Sequence, residues 1–172
     1  MKQVFIINGS GGVGKDTFVS LVTKHMFLPV MNFSSVDKVK AIARIIGWTG
    51  GKTERDRKFL SDLKLLCTDY NNMPFVSMGE KVEEFNYSDA AMLFLHIREP
   101  EEIEKAKMAF NAKTVLIKRD AVKQITSNMA DGNVFNYQYD IVVDNDSDVE
   151  NLERKAAAFV NDFIAGEMKP AY

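Results

Sequence analysis

A glycine-rich loop close to the start of the sequence constrains the fold more than any other feature. Residues 9–15 read Gly-Ser-Gly-Gly-Val-Gly-Lys, and they lie between an apolar run at residues 4–7 and a helix-like segment that begins at Asp16. Glycines allow backbone N–H groups to curl around a phosphate, and a helix that begins there directs its positive dipole end at the same anion. The lysine can reach the outer phosphates of a nucleotide. Strand, glycine loop and helix in this order predict a phosphate-binding loop.

The residues of this loop have separate predicted roles. Lys15 is a candidate catalytic residue, because its charge can neutralise a transferring phosphoryl group. Asp16 stands where serine or threonine usually follows the lysine, and a carboxylate there suits Mg²⁺, with Thr17 as the neighbouring metal ligand. The predicted nucleotide-binding set is Gly9, Gly11, Gly12, Val13, Gly14, Lys15, Asp16 and Thr17. The alternative is an ordinary glycine turn before a helix with an N-terminal aspartate.

Composition narrows the class of protein. A chain of 172 residues is long enough for one domain with a substantial core, and a formal net charge of −2 offers no electrostatic case for nucleic acid or an anionic membrane. Cys67 is the only cysteine, so neither an intrachain disulfide nor a cysteine zinc site is expected, which fits a reducing cytoplasm. We see no secretory leader and no apolar run near the roughly 18 residues that span a bilayer. We therefore expect a cytoplasmic protein without nucleic-acid or membrane partners.

Short apolar segments alternate with longer amphipathic segments along the chain. The segments predicted as strands are residues 4–7, 30–33, 91–97, 114–117 and 141–143. The segments predicted as helices are residues 16–26, 34–46, 54–68, 75–85, 101–110, 121–129 and 148–164, with Ser34 or Ser35 capping the second and residues 145–147 capping the last. Apolar strands separated by helices predict a five-stranded parallel sheet covered on both faces, which is a three-layer α/β/α domain over residues 1–172.

The residues that follow the strands are the next candidates, because ligands bind beyond the carboxyl ends of the strands in such sheets. Arg98 follows the third strand and could clamp a phosphate bidentately, with surface pairing to Glu99 or Glu102 as the alternative. Arg119 follows the fourth strand and is a candidate for stacking on adenine or for a lid contact. Residues 144–146 follow the fifth strand and are interpreted as helix capping near the nucleotide base.

A charged helical region lies between the second and third strands, over residues 50–85. It carries Lys52, Arg55 and Arg57, which could bind an acceptor anion or could belong to an ordinary solvated helix face. A Gly-Gly pair at its start could serve as a hinge. The apolar positions Leu60, Leu63 and Leu66 predict that part of the region packs against the domain.

Three stretches resemble the P-loop kinases of small phosphorylated molecules, most closely the deoxynucleoside monophosphate kinases of phages and bacteria. Residues 14–17 match that family's Gly-Lys-Asp-Thr loop, including its aspartate. Residues 96–102 resemble its Asp-Val-Arg-Phe-Pro-Asn-Glu motif, with His96 in place of the aspartate. Residues 139–146 resemble its last strand and turn, and the order of these stretches covers nearly the whole chain.

The resemblance implies a P-loop NTPase fold, ATP and Mg²⁺ as cofactors, and transfer of the γ-phosphate to a phosphate-bearing small molecule, foremost a nucleoside or deoxynucleoside monophosphate. Lys15 would bind the donor phosphate and Arg98 the acceptor phosphate. Residues 50–85 would be the acceptor-binding insertion and residues 120–137 the lid. Within residues 121–137, Lys123 is the only basic residue. A homodimer is an open option.

Three alternatives remain open on the sequence. The acceptor could be phosphomevalonate or dephospho-coenzyme A, because animal-type phosphomevalonate kinases share the Gly-Lys-Asp loop and a similar layout. A GTPase is a second option, although residues 117–120 have the Lys and Asp of a guanine-binding Asn-Lys-x-Asp run and lack its Asn. A kinase-like protein that binds nucleotide without turnover is the third, since His96 stands where a Walker B aspartate is common and the lid segment is poor in arginine.

Overall fold

The computed structural model describes residues 1–120 and 134–172, and its centre is a five-stranded parallel sheet. The strands are β1 (Gln3–Asn8), β2 (Val30–Ser34), β3 (Met92–His96), β4 (Lys113–Lys118) and β5 (Ile141–Asp144). They lie in the order β2-β3-β1-β4-β5, and each neighbouring pair is parallel. β1, which leads into the glycine loop, therefore occupies the middle of the sheet.

Helices cover both faces of this sheet. The described helices are α1 (Lys15–His25), α2 (Asp37–Ile45), α3 (Glu54–Asn71), α4 (Met73–Tyr87), α5 (Pro100–Phe110) and α6 (Val149–Ala165). Successive residues of β1 face opposite layers: Phe5 belongs to a core shared with α1 and α6, and Ile6 to a core shared with α4 and α5. The prediction of a three-layer α/β/α domain with a five-stranded parallel sheet is confirmed.

A cluster of aromatic rings holds β1 against α6. Phe5 lies 5.1 Å from Phe159 and 5.4 Å from Phe94 between ring centroids, and all three side chains are fully buried. Phe18 of α1 meets Phe159 edge-on at 5.4 Å. Truncating one such ring to alanine typically costs about 3–5 kcal/mol. The strand before the glycine loop and the helix after it are therefore anchored in one core.

Two helix starts differ from the prediction. α2 begins at Asp37, and neither Ser34 nor Ser35 caps it; the Asp37 carboxylate instead accepts a hydrogen bond from the Ser34 N–H at 2.8 Å. α6 is capped by Asp148, whose side chain accepts from the Asn151 N–H at 2.8 Å, and not by residues 145–147. The capping acceptor of α6 is therefore an aspartate one residue later than predicted, whereas no side chain caps the first turn of α2.

α3 and α4 form a helical pair between β2 and β3. They are joined by Asn72 alone, whose left-handed backbone (φ 55°) ends one helix and starts the next. α3 contains no fully buried side chain, and Leu66 is 65% exposed. Leu60 and Leu63 are half-buried, so part of the region packs as predicted, but the prediction is wrong for the exposed Leu66. The fully buried side chains of the pair belong to α4 and include Met78 and Phe85.

Part of the predicted organisation lies outside the described residues. The predicted helix at residues 121–129 falls entirely there, and so does most of the predicted lid at residues 120–137. In the ranges 1–120 and 134–172, no helix has the length and apolar character needed to cross a membrane.

Candidate phosphate-binding site

The glycine loop follows β1 directly, and its backbone requires glycine at two positions. Gly9 has φ 147°, and a Cβ built on it would lie 2.5 Å from the carbonyl oxygen of Ile117. Gly14 has φ 97°, and a Cβ there would lie 2.5 Å from Nδ2 of Asn145. Each position combines a conformation that L-residues avoid with a close approach of neighbouring atoms. Glycine is therefore required at these two loop positions by both the backbone conformation and the neighbouring atoms.

α1 begins at the end of this loop with Gly14 as its N-cap. Because glycine has no side chain, it leaves the first N–H groups of the helix without a side-chain cap. At Gly12, a Cβ would meet no atom of the described residues within 4 Å, so the loop is open on that side. Open loop amides beside the positive end of a helix dipole form a binding site for an anion of phosphate size.

The Lys15 side chain turns back over the loop. Its Nζ donates hydrogen bonds to the carbonyl oxygens of Gly9 at 2.6 Å and Ser10 at 3.1 Å. These contacts hold the ammonium group at the mouth of the loop, where a bound phosphate would meet it. The position suits the predicted role of Lys15 as the cation of the donor phosphate.

Asp16 and Thr17 are exposed in the first turn of α1, as a metal-binding role requires. The Asp16 side chain is 94% exposed, and its Oδ1 lies 3.9 Å from Nδ1 of His96. Among residues 1–120 and 134–172, no group of three histidine, cysteine or acidic side chains could hold a metal ion. The donor set does not form a cage made of protein alone, but it fits Mg²⁺, which commonly takes one or two protein ligands beside phosphate oxygens and water.

His96 ends β3 next to the loop. Its Nε2 lies 2.7 Å from Oδ1 of Asn32, so the carboxamide oxygen accepts the ring proton. Burial lowers the pKa of His96 below its usual value, and the nearby Asp16 only partly offsets this effect. His96 therefore does not supply the negative charge that an aspartate at the same place would bring to a metal.

Arg98 lies at the same edge of the sheet as the loop. Ile7 pairs with His96 across β1 and β3, so the chain leaves both strands side by side. The exposed Arg98 follows directly, and its carbonyl oxygen accepts a hydrogen bond from Nδ2 of Asn8 at 3.1 Å. The predicted acceptor cation and the predicted donor loop are thus neighbours, although binding by Arg98 stays a prediction.

Arg119 follows β4 at this edge and is half-buried. Its Nε is buried and has no hydrogen-bond partner among the residues that the structure describes. A buried guanidinium N–H without an acceptor is costly, so this position favours an incoming acceptor group. The predicted contact of Arg119 with the nucleotide or the lid is compatible with this geometry and stays a prediction.

Two asparagines hold the loop in place, a role that the sequence analysis assigned to neither of them. Asn145 is buried; its Nδ2 donates to the carbonyl oxygen of Val13 at 2.8 Å, and its N–H donates to the carbonyl oxygen of Lys118 at 2.7 Å. It therefore ties β4 and β5 to the loop, which corrects its interpretation as a helix cap. Asn8 binds the other end of the loop through the Gly9 N–H at 2.8 Å. A polar amide directly after an apolar strand was the available signal in both cases.

The cations of the predicted acceptor region are exposed at the start of α3. Thr53 caps this helix by accepting from the Asp56 N–H at 3.2 Å, and the Asp56 carboxylate accepts from the Thr53 N–H at 3.0 Å, which completes a capping box. Lys52, Arg55 and Arg57 are exposed around this cap. Exposure suits both a solvated helix face and an anion-binding surface, so their role stays a prediction.

Comparison with known proteins places the fold. No known family model matches the sequence, and no curated protein matches it. Solved structures do match the chain. One of them is TT1252 from Thermus thermophilus, which has 21% sequence identity and a TM-score of 0.55, and the match covers 98% of each chain. A shikimate kinase from Aquifex aeolicus matches at 14% identity and a TM-score of 0.51, covering 95% of this chain and 99% of that chain. This protein has a P-loop kinase fold. A gluconokinase from Sinorhizobium meliloti also matches, at 11% identity and a TM-score of 0.52, covering 95% of this chain and 94% of that chain.

Proposed function

We propose that this protein is an ATP- and Mg²⁺-dependent phosphotransferase that moves the γ-phosphate of ATP to a phosphate-bearing small molecule, foremost a nucleoside or deoxynucleoside monophosphate. The observation that carries the proposal is the placement of Lys15, the glycine loop and Arg98 at one edge of the sheet, where the Asn8 side chain bridges the loop to the Arg98 backbone. A fold alone does not decide a reaction, whereas the chemistry of these groups suits phosphoryl transfer.

The donor side of the reaction is assigned to the loop. Its backbone N–H groups and Lys15 surround the phosphates and offset negative charge as the phosphoryl group is transferred. Mg²⁺, when bound through Asp16 and Thr17, would supply further positive charge at the phosphate oxygens. Arg119 is assigned to the nucleotide because its buried Nε lacks an acceptor among the described residues.

The acceptor side is assigned to Arg98. A guanidinium group can hold the acceptor phosphate through two parallel hydrogen bonds and so align one oxygen for in-line attack. A phosphate oxygen is already anionic, and therefore no general base is needed to activate it. A homodimer and a cytoplasmic location remain predictions that stand apart from this assignment.

The function is tested by measuring ADP formation from ATP with a panel of acceptors. The panel contains the common nucleoside and deoxynucleoside monophosphates, together with phosphomevalonate and dephospho-coenzyme A for the alternative acceptors. We expect transfer to at least one monophosphate well above the ATP hydrolysis seen without acceptor. Tight binding of GTP with ATP excluded would instead favour the GTPase alternative. Absence of transfer to every acceptor would contradict the proposal.

A second candidate function is nucleotide binding without turnover. The observation in its favour is that β3 ends in His96, and no carboxylate stands at that position to join Asp16 at a metal ion. Calorimetry with ATP separates the two functions: tight, Mg²⁺-dependent binding combined with no transfer across the panel would support this second candidate.

We predict that the region over residues 50–85 closes on the substrates. α3 has no fully buried side chain, and this absence predicts low local stability compared with the sheet. Closure would exclude water, which otherwise competes as the phosphoryl acceptor. Hydrogen exchange with and without ATP and acceptor should show slower exchange in α3 when both are bound. Protection of the glycine loop without any change in residues 50–85 would mean that the acceptor binds elsewhere.

A further inference from the structure

The buried side chain of Asn8 connects three segments at the edge of the sheet that carries the glycine loop: the loop itself, the backbone at Arg98 and Tyr139. It is the last residue of β1 and is fully buried. Its Oδ1 accepts from the Gly9 N–H at 2.8 Å, and its Nδ2 donates to the Arg98 carbonyl oxygen at 3.1 Å and to the Tyr139 hydroxyl oxygen at 2.7 Å. The partners determine the orientation of the carboxamide, because only its nitrogen can donate to a carbonyl oxygen. A carboxamide suits this place since it combines donors and an acceptor in one small group.

Tyr139 extends this connection towards β5. Its hydroxyl group donates to the carbonyl oxygen of Val134 at 2.9 Å, so its oxygen is available to accept from Asn8. Burial raises the pKa of Tyr139 to about 12, and the hydroxyl therefore keeps its proton near neutral pH. The hydrogen bonds run from the first amide of the glycine loop through Asn8 to the segment that precedes β5.

We propose that Asn8 is a positioning residue that sets the distance between the first amide of the phosphate-binding loop and the backbone of Arg98. This inference rests on the proposed function, in which the donor phosphate lies on the loop and the acceptor phosphate on Arg98. In-line transfer needs both phosphates in near-attack geometry, and a misplacement of about 1 Å can cost roughly 10²-fold in rate. A buried side chain bonded to both backbones can maintain that geometry.

The proposal has two halves: in the loop half Asn8 positions the Gly9 N–H, and in the Arg98 half it positions the Arg98 carbonyl oxygen. The loop half is tested by Asn8→Leu, which keeps the approximate size of the side chain and removes its hydrogen bonds. Affinity for AMP-PNP with Mg²⁺, measured by calorimetry, should fall roughly tenfold, as expected when a buried donor loses its partner. The matched control is Thr114→Val. Thr114 is also fully buried, and its hydroxyl group makes two hydrogen bonds with Asp140 that do not involve the loop. The control should lose stability but keep its AMP-PNP affinity.

The Arg98 half is tested by Asn8→Asp. A carboxylate can still accept from the Gly9 N–H, but it cannot donate to the Arg98 carbonyl oxygen and repels it. We therefore expect the KM for the best monophosphate of the panel to rise about tenfold, with a much smaller change in the KM for ATP. A purely structural role would change both values alike or neither. Tyr139→Phe provides a milder variant if Asn8→Leu does not fold, and its AMP-PNP affinity should fall several-fold against the same control.

The outcomes separate this inference from the proposed function. The loop half is overturned if the folded Asn8→Leu variant binds AMP-PNP as tightly as the Thr114→Val control does. Where Asn8→Leu does not fold, the same comparison is made with Tyr139→Phe. Parallel changes in both KM values for Asn8→Asp overturn the Arg98 half. If the unmodified protein transfers phosphate to no acceptor, both the proposed function and the Arg98 half are wrong. The AMP-PNP comparison still decides whether Asn8 positions the loop.

Discussion

Replacement of Lys15 by alanine is expected to abolish phosphoryl transfer and to leave the protein folded. The Lys15 ammonium group donates hydrogen bonds to the loop carbonyl oxygens of Gly9 and Ser10, and each such bond contributes about 1 kcal/mol to stability. Its contact with the transferring phosphoryl group would strengthen as charge develops, so its loss should lower kcat more than it raises KM. Loss of one such transition-state contact costs roughly 10²–10³-fold in kcat.

The measurement is kcat and KM for the best acceptor of the panel, with circular dichroism and thermal unfolding to check the fold. Lys24→Ala is the matched control, because Lys24 lies on the same helix and forms an ion pair with Glu153 at 2.6 Å on the surface. The control should retain activity near that of the unmodified protein. A folded Lys15→Ala protein with normal turnover would remove the glycine loop from the mechanism.

Replacement of Gly9 by alanine is expected to cause the largest loss of stability of any loop substitution described in this protein. The added Cβ would lie 2.5 Å from the Ile117 carbonyl oxygen and 2.8 Å from Cγ2 of Val13, at a φ of 147° that alanine avoids. Strain of this kind costs about 1–3 kcal/mol, and the clash with backbone adds to it because β4 cannot move without breaking its pairing with β1. Each kcal/mol corresponds to roughly 2–4 °C in Tm for a chain of this size.

The control for strain without a clash is Gly47→Ala. Gly47 also has positive φ (103°), but a Cβ there would meet no described atom within 4 Å, and it lies outside the loop. Thermal unfolding should show a much smaller loss for Gly47→Ala than for Gly9→Ala. Equal losses would mean that backbone conformation alone accounts for the glycine, and that the contact with β4 contributes nothing.

The features that the sequence predicted correctly are those set by neighbours along the chain. Apolar runs bounded by turn residues identified all five strands within one to two residues at either end, as β4 illustrates (predicted over 114–117, observed over Lys113–Lys118). Pro100 marked the start of α5, since its fixed φ suits the first turn of a helix. The helix starts at α2 and α6 were predicted less accurately, because several adjacent polar residues could act as the cap; Asp148 caps α6 through the nearby Asn151 N–H, and no side chain caps α2.

Periodicity, backbone freedom and charge are local properties, and they were enough to predict the layered α/β fold, the glycine loop and the strand-end arginines. The packing of distant segments set how the site is held together. Asn8 bonds to residues 90 and 131 positions away, and Asn145 bonds to the loop across 132 positions. This packing also decided that Leu66 is exposed and that His96 is paired with Asn32. These facts depend on which strands become neighbours in the sheet, and no local pattern carries that information.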